Sequence, residues 1–151
     1  MTSRGRHEAR EAALQVLYFS EVGRIPPDRA LEAFFEEHAP EASEAVREFA
    51  GRLVRGTAGE SAELDDLIGR HSRHWRLERM ATVDRIVLRM AAWELRHEPD
   101  TPPAVVLNEA LELARTFSAD ESVAFVNGVL DGIRKTLEGE RPRAQGRGPK
   151  E

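Results

Sequence analysis

Arg6 and Arg10 stand four residues apart in a segment of helical periodicity, with Arg4 and His7 beside them. That spacing brings two guanidinium groups out on the same side of a helix. The helix macrodipole adds partial positive charge at its opening. Guanidinium groups gathered there can bind phosphate oxygens and stack on unpaired bases. The same residues also suit a plain solvated helix start, in which Arg10 pairs with Glu8 or Glu11. A second basic run, Arg70-His71-Ser72-Arg73-His74-Trp75-Arg76, interleaves cations with an indole. Arg70, His74 and Trp75 could hold single-stranded RNA there; alternatively Trp75 anchors a core, since tryptophan buries a large apolar area. Phe125 lies at the edge of an apolar stripe, placed either to stack on a base or to pack inside, and Asn127 follows it.

Other chemistries find little support. His71 and His74 are three apart near Asp65 and Asp66, but no His-Glu-x-x-His pattern supplies the further ligands a metal needs, so no metal site is expected. Glu109 and Glu112 form an i, i+3 acidic pair suited to a solvated face or to a neighbouring arginine. The glycines are scattered and form no phosphate-cradling loop, and no serine sits in a nucleophile elbow. The chain has no cysteine, which excludes disulfides, thiol catalysis and thiolate metal sites and fits a cytoplasmic protein. We expect no enzyme activity and no cofactor.

Composition bounds the rest. With 151 residues, 40% hydrophobic and 32% charged, the chain suits one globular domain with a core of its own. No apolar run approaches the length of a membrane span, and the charged N-terminus lacks the apolar core of a signal peptide. The net charge of −5 argues mildly against nucleic acid, but its distribution is polarised. Acids dominate between Asp28 and Asp66, whereas between Arg70 and Arg96 the balance reverses: Arg70, Arg73, Arg76, Arg79, Arg85, Arg89 and Arg96 face only Glu78, Asp84 and Glu94. An acidic protein of that kind can still offer phosphates a local basic surface.

The elements that must position these residues read as helices throughout. A first helix is expected from Ser3 as N-cap to about Val22, with Ala9, Ala13, Val16, Leu17 and Ser20 inward and Gly23 as its end. Pro26-Pro27 opens a second, which buries Leu31, Phe34 and Phe35. Pro40 precedes a long helical region, about Glu41 to His71, which Gly56 and Gly59 can bend or break. A short helical turn follows at Leu77–Ala81, then a helix from about Val83 to His97. Apolar residues at i, i+3, i+4, i+7 and i+8 make that helix the most buried. Pro102-Pro103 starts another, and the capping-box spacing of Ser118 and Glu121 opens the last. Asn108, Glu109 and Asn127 fall within or beside apolar stripes, where an unpaired polar group would cost about 1–3 kcal/mol. Gly128 in mid-helix suggests the close passage of a neighbouring helix. The expected domain is 1–138, with 139–151 a disordered tail rich in Gly, Pro and Arg.

Four segments carry a resemblance to a known family: Arg6–Tyr18, Trp75–Leu95, Pro103–Phe117 and Asp120–Asp131. In order and spacing they resemble the NusB family, and the last three are specific in combination. The resemblance implies an all-α bundle of about seven helices in two small subdomains. It implies a transcription antitermination factor that binds the boxA RNA of ribosomal RNA operon leaders. It does so with NusE, a protein of the small ribosomal subunit, in an antitermination complex on RNA polymerase. By position it places RNA contacts at Arg4, Arg6, His7 and Arg10, with Glu121 and Phe125 at the opening of the last helix. It places a NusE-facing surface on the short fourth helix and its neighbour, near Glu78, Arg79 and Arg85. His7 departs from the fuller arginine run of some members, and some members form homodimers that hide the RNA surface. Two other functions fit the same helices: a protein-interaction bundle that never touches RNA, and the NusB-like module of some rRNA methyltransferases. The latter needs a long catalytic domain after it.

Overall fold

A computed structural model describes residues 1–72 and 77–140. His74 and Trp75, with Arg73 and Arg76, lie outside the described residues, as does the tail from 141. Among the described residues seven α-helices run in the order α1 (Ser3–Gly23), α2 (Pro27–His38), α3 (Glu44–Gly59), α4 (Ser61–Ser72), α5 (Thr82–His97), α6 (Pro103–Phe117) and α7 (Asp120–Glu140). A 3-10 turn, Leu77–Arg79, precedes α5. No strand occurs among the described residues.

Local chemistry sets most of the boundaries. Thr2 rather than Ser3 caps α1, its Oγ1 accepting from Gly5 N at 3.0 Å. Arg24 ends the helix in the left-handed region at φ 55°, with Ile25 N donating back to Ser20 O. Pro27 and Pro103 sit at first-turn positions of α2 and α6, where the missing N–H has no intrahelical partner to lose. Ser43 caps α3 by accepting from Val46 N, so that helix starts three residues later than the sequence suggests. The expected long region breaks between Gly59 and Ser61 and becomes two helices. The short fourth helix of the sequence analysis is therefore the 3-10 turn, and α4 is the second half of that region. At the far end α7 continues through Gly139 and Glu140, two residues past the expected start of the tail. Each residue added to an existing helix gains a backbone hydrogen bond without a new nucleus.

Packing follows two neighbourhoods. Helices α1, α2 and α3 pack on one another, as do α5, α6 and α7, with α4 against α5 and α7. Contacts of α5 with α1 and α3 join them, and one apolar cluster runs through both. Val87, Leu88 and Ala92 of α5 have no exposed surface at all, in keeping with the wide apolar face the sequence shows.

Close helix approaches occur where the sequence did not point. Gly128 is exposed, and a Cβ there would meet nothing within 4 Å, which corrects its expected role. The glycines that admit neighbours are Gly56, under the Trp93 indole, and Gly132, under the His71 ring. Asn108 and Asn127 are likewise exposed, so neither needs a buried partner.

Candidate nucleic-acid interface

The first turn of α1 carries two free cations. Arg4 is exposed and Arg6 half-buried, and no hydrogen bond or ion pair among the described residues engages either guanidinium. His7, one position on, is held between two carboxylates. Its Nδ1 lies 2.8 Å from Glu109 Oε1 on α6 and its Nε2 3.1 Å from Glu11 Oε2 on α1. The hydrogen bond with Glu109 is the main reason its pKa rises above the ordinary 6.5, against an opposing effect of partial burial.

Arg10 overturns its sequence assignment. It shares the Arg6 side of the helix, but by this turn α5 and α6 have closed over it, leaving its side chain 3% exposed. Its Nε donates to Glu94 Oε1 at 3.0 Å and its Nη2 donates to Glu94 Oε2, a two-pronged pair with a carboxylate equally buried. Glu109 stands 3.6 Å away, and the Phe49 ring lies under the guanidinium, its centroid at 5.4 Å. Arg10 thus neither reaches an RNA phosphate nor pairs with Glu8 or Glu11. A charge this deep needs a fixed counter-charge, and Glu94 is the residue the sequence analysis missed. Its signal was a carboxylate inside the apolar run Met90–Leu95.

At the start of α7 the structure gathers a second group. Arg79, Glu121 and Phe125 line one cleft with Met80, Ala81 and Ser122, so a residue expected on the partner face joins two expected on the RNA face. Phe125 is half-buried, packed against the core and lining the cleft. Asp84, buried, fixes the floor. Its Oδ1 accepts from Ser118 Oγ at 2.6 Å and its Oδ2 from Ser122 Oγ at 2.8 Å. Ser118 thus spends its hydroxyl proton on Asp84 across the junction, and α7 begins at Asp120. Asp84 and Glu94 lie ten residues apart on α5, so the two groups are separated by about 15 Å along that helix.

The remaining candidates are dispersed. Glu78 is exposed on the 3-10 turn. Arg85 donates to Leu77 O at 3.1 Å and pairs with Glu21, which ties that turn to the end of α1. Arg70 is exposed at the end of α4, 3.6 Å from Asp66 and apart from both groups. His71 turns away from Asp65 and Asp66: it packs on Gly132, with Nε2 3.0 Å from Thr136 Oγ1. Burial first, then the Arg70 charge, holds its pKa below 6.5. Among the described residues no group of three or more potential metal ligands gathers, and no helix is long and apolar enough to cross a membrane.

Fold and surface together define an all-helical bundle with unpaired arginines at its opening helix and an aromatic cleft at its last. The NusB family model matches residues 7–135, and the chain belongs to the NusB family. It is 45% identical over 138 residues to the transcription antitermination protein NusB of Koribacter versatilis, covering 91% of this chain and 94% of that one. The NusB of T. maritima superposes with a TM-score of 0.79 at 37% identity, covering 86% of this chain and 90% of that one. A crystal structure of antitermination factors NusB and NusE in complex with dsRNA contains a chain that matches at a TM-score of 0.81 and 27% identity. The match covers 89% of this chain and 99% of that one.

Proposed function

We propose that this protein is a transcription antitermination factor of the cytoplasm. It binds boxA RNA of ribosomal RNA operon leaders together with NusE, as part of an antitermination complex on RNA polymerase. The match to a NusB that is held with NusE and RNA carries this assignment. The protein contributes binding and no bond-making step.

Arg4 and Arg6 meet phosphates, since their guanidinium groups have no competing partner and sit at the positive end of α1. The cleft lined by Phe125 and Glu121 takes an unstacked base, with Glu121, exposed there, accepting from base N–H donors. Arg79 adds a phosphate contact at the cleft rim, while Glu78 and Arg85 belong to the NusE side.

Binding of a fluorescent boxA-like RNA across a salt series, with and without NusE, tests the assignment. Three or four phosphate contacts to a single strand give a log–log salt slope of about −2 to −3. The double variant Arg4→Ala/Arg6→Ala should weaken binding and flatten that slope by about 1.4. Unchanged affinity in a folded double variant would remove α1 from the site. Absence of RNA binding by the folded wild type, with or without NusE, would instead favour a bundle that recognises protein alone.

A further inference from the structure

His7 was assigned to direct RNA contact, but its geometry points elsewhere. Both ring nitrogens face carboxylate oxygens, Glu109 at 2.8 Å and Glu11 at 3.1 Å. A neutral imidazole has one N–H, so only the imidazolium can donate to both at once; the neutral ring sets a lone pair against one carboxylate. The raised pKa agrees with that geometry. Side chains three and four residues apart share a helix face, which makes Arg4, Arg10 and Glu11 the neighbours of His7 along α1.

We propose that His7 is a positioning residue for RNA binding. As the imidazolium it fastens the opening turns of α1 to α6 and screens Glu109 and Glu11 from the phosphates that Arg4 and Arg6 hold. The inference rests on the RNA-binding assignment above and gives the same surface a dependence on pH.

The surrounding charges set the direction. On α6 Glu109 faces the ring, and on α5 Glu94 is committed to Arg10. On α1, Glu11 faces the ring, while Arg10 stays within 3.6 Å of Glu109. Arg52 and Arg55 on α3 pair with Glu98 and Asp28. Once the proton leaves, Glu11, Glu94 and Glu109 oppose Arg10 alone, and two carboxylates lie uncompensated on the face that meets RNA. A phosphate bound at Arg4 must in turn hold the proton on His7, because linkage is reciprocal.

The test is anisotropy of a fluorescent boxA-like single-stranded RNA at constant ionic strength, from about pH 6 to about pH 8.5, with NusE present throughout. The wild type should lose about three- to tenfold in affinity as pH rises through the His7 titration, because bound phosphate and the His7 proton favour one another. His7→Arg keeps a permanent cation and should bind tightly with a flat profile; His7→Gln should bind weakly with a flat profile. Glu109→Gln should move the wild-type midpoint to lower pH, a second readout should His7→Gln not fold. A flat wild-type profile, or one that persists in His7→Arg, overturns the role of His7 and leaves the RNA assignment standing. No binding by the folded wild type at any pH overturns both.

Discussion

Arg4, Arg6 and Arg10 crowd one short stretch of sequence, yet the fold gives them opposite tasks. The first two keep their charges free at the surface; the third is sealed against Glu94 and the Phe49 ring. Arg10→Ala should therefore cost about 3–5 kcal/mol in denaturant unfolding, because it strands a buried carboxylate. The apolar pair Arg10→Met with Glu94→Leu should recover most of that loss. Equal losses for Arg10→Ala and Arg4→Ala would show that the pair contributes nothing. His7 has its folded-state pKa raised above 6.5, so the stability it contributes is fully present below about pH 6.5 and lost as pH rises through the folded value. The gap in denaturation midpoint between wild type and His7→Gln should close with increasing pH; a constant gap would contradict this.

Among the elements, glycines and one buried carboxylate decide how the helices meet. A Cβ on Gly56 would fall 2.1 Å from Trp93 Cε2, too close for any adjustment short of moving the indole. Gly56→Ala should destabilise by about 1–3 kcal/mol through overpacking between α3 and α5. Gly128→Ala meets open space in mid-helix and should stabilise by up to about 1 kcal/mol. Thermal melts of the two variants should move in opposite directions. Asp84 links α5 to the start of α7 through Ser118 and Ser122. Its replacement by alanine leaves two hydroxyls without their acceptor, at about 1–3 kcal/mol each at most. It should also weaken RNA binding through the cleft that holds Glu121 and Phe125. RNA affinity unchanged in a destabilised Asp84→Ala would place the base contact outside that cleft.

Across the whole molecule, α5 joins the two helical neighbourhoods, and one apolar cluster spans them. Unfolding should then be a single cooperative transition, with far-ultraviolet and near-ultraviolet circular dichroism curves that coincide. Two separated transitions would mean that α1–α3 and α4–α7 melt independently. The charge distribution works at this scale too. On the proposed function, a protein of net charge −5 would meet RNA through the patches its fold keeps free, since Arg85 and Arg89 are tied to Glu21 and Asp65.

Helix content, the order of the elements and the inward faces were legible in the sequence, because apolar spacing, prolines and caps act over a few residues. The apolar faces of α2, α3, α5 and α7 sit where periodicity places them, and Pro27 and Pro103 open the helices they were expected to open. Family membership was legible too, since it rests on the order and spacing of motifs. Which side of a polar residue meets a neighbour was not. Arg6 and Arg10 share one helix face, yet the first is half-buried and unpaired while the second is buried in a pair, and Asn127 and Gly128 look like packing residues but face outward. Glu94, ordinary in composition, became the partner of Arg10 only when α1 and α5 were brought together across 84 residues of chain. Local periodicity fixes a helix's inner face; long-range packing alone decides which charges are buried in pairs and which stay free to bind.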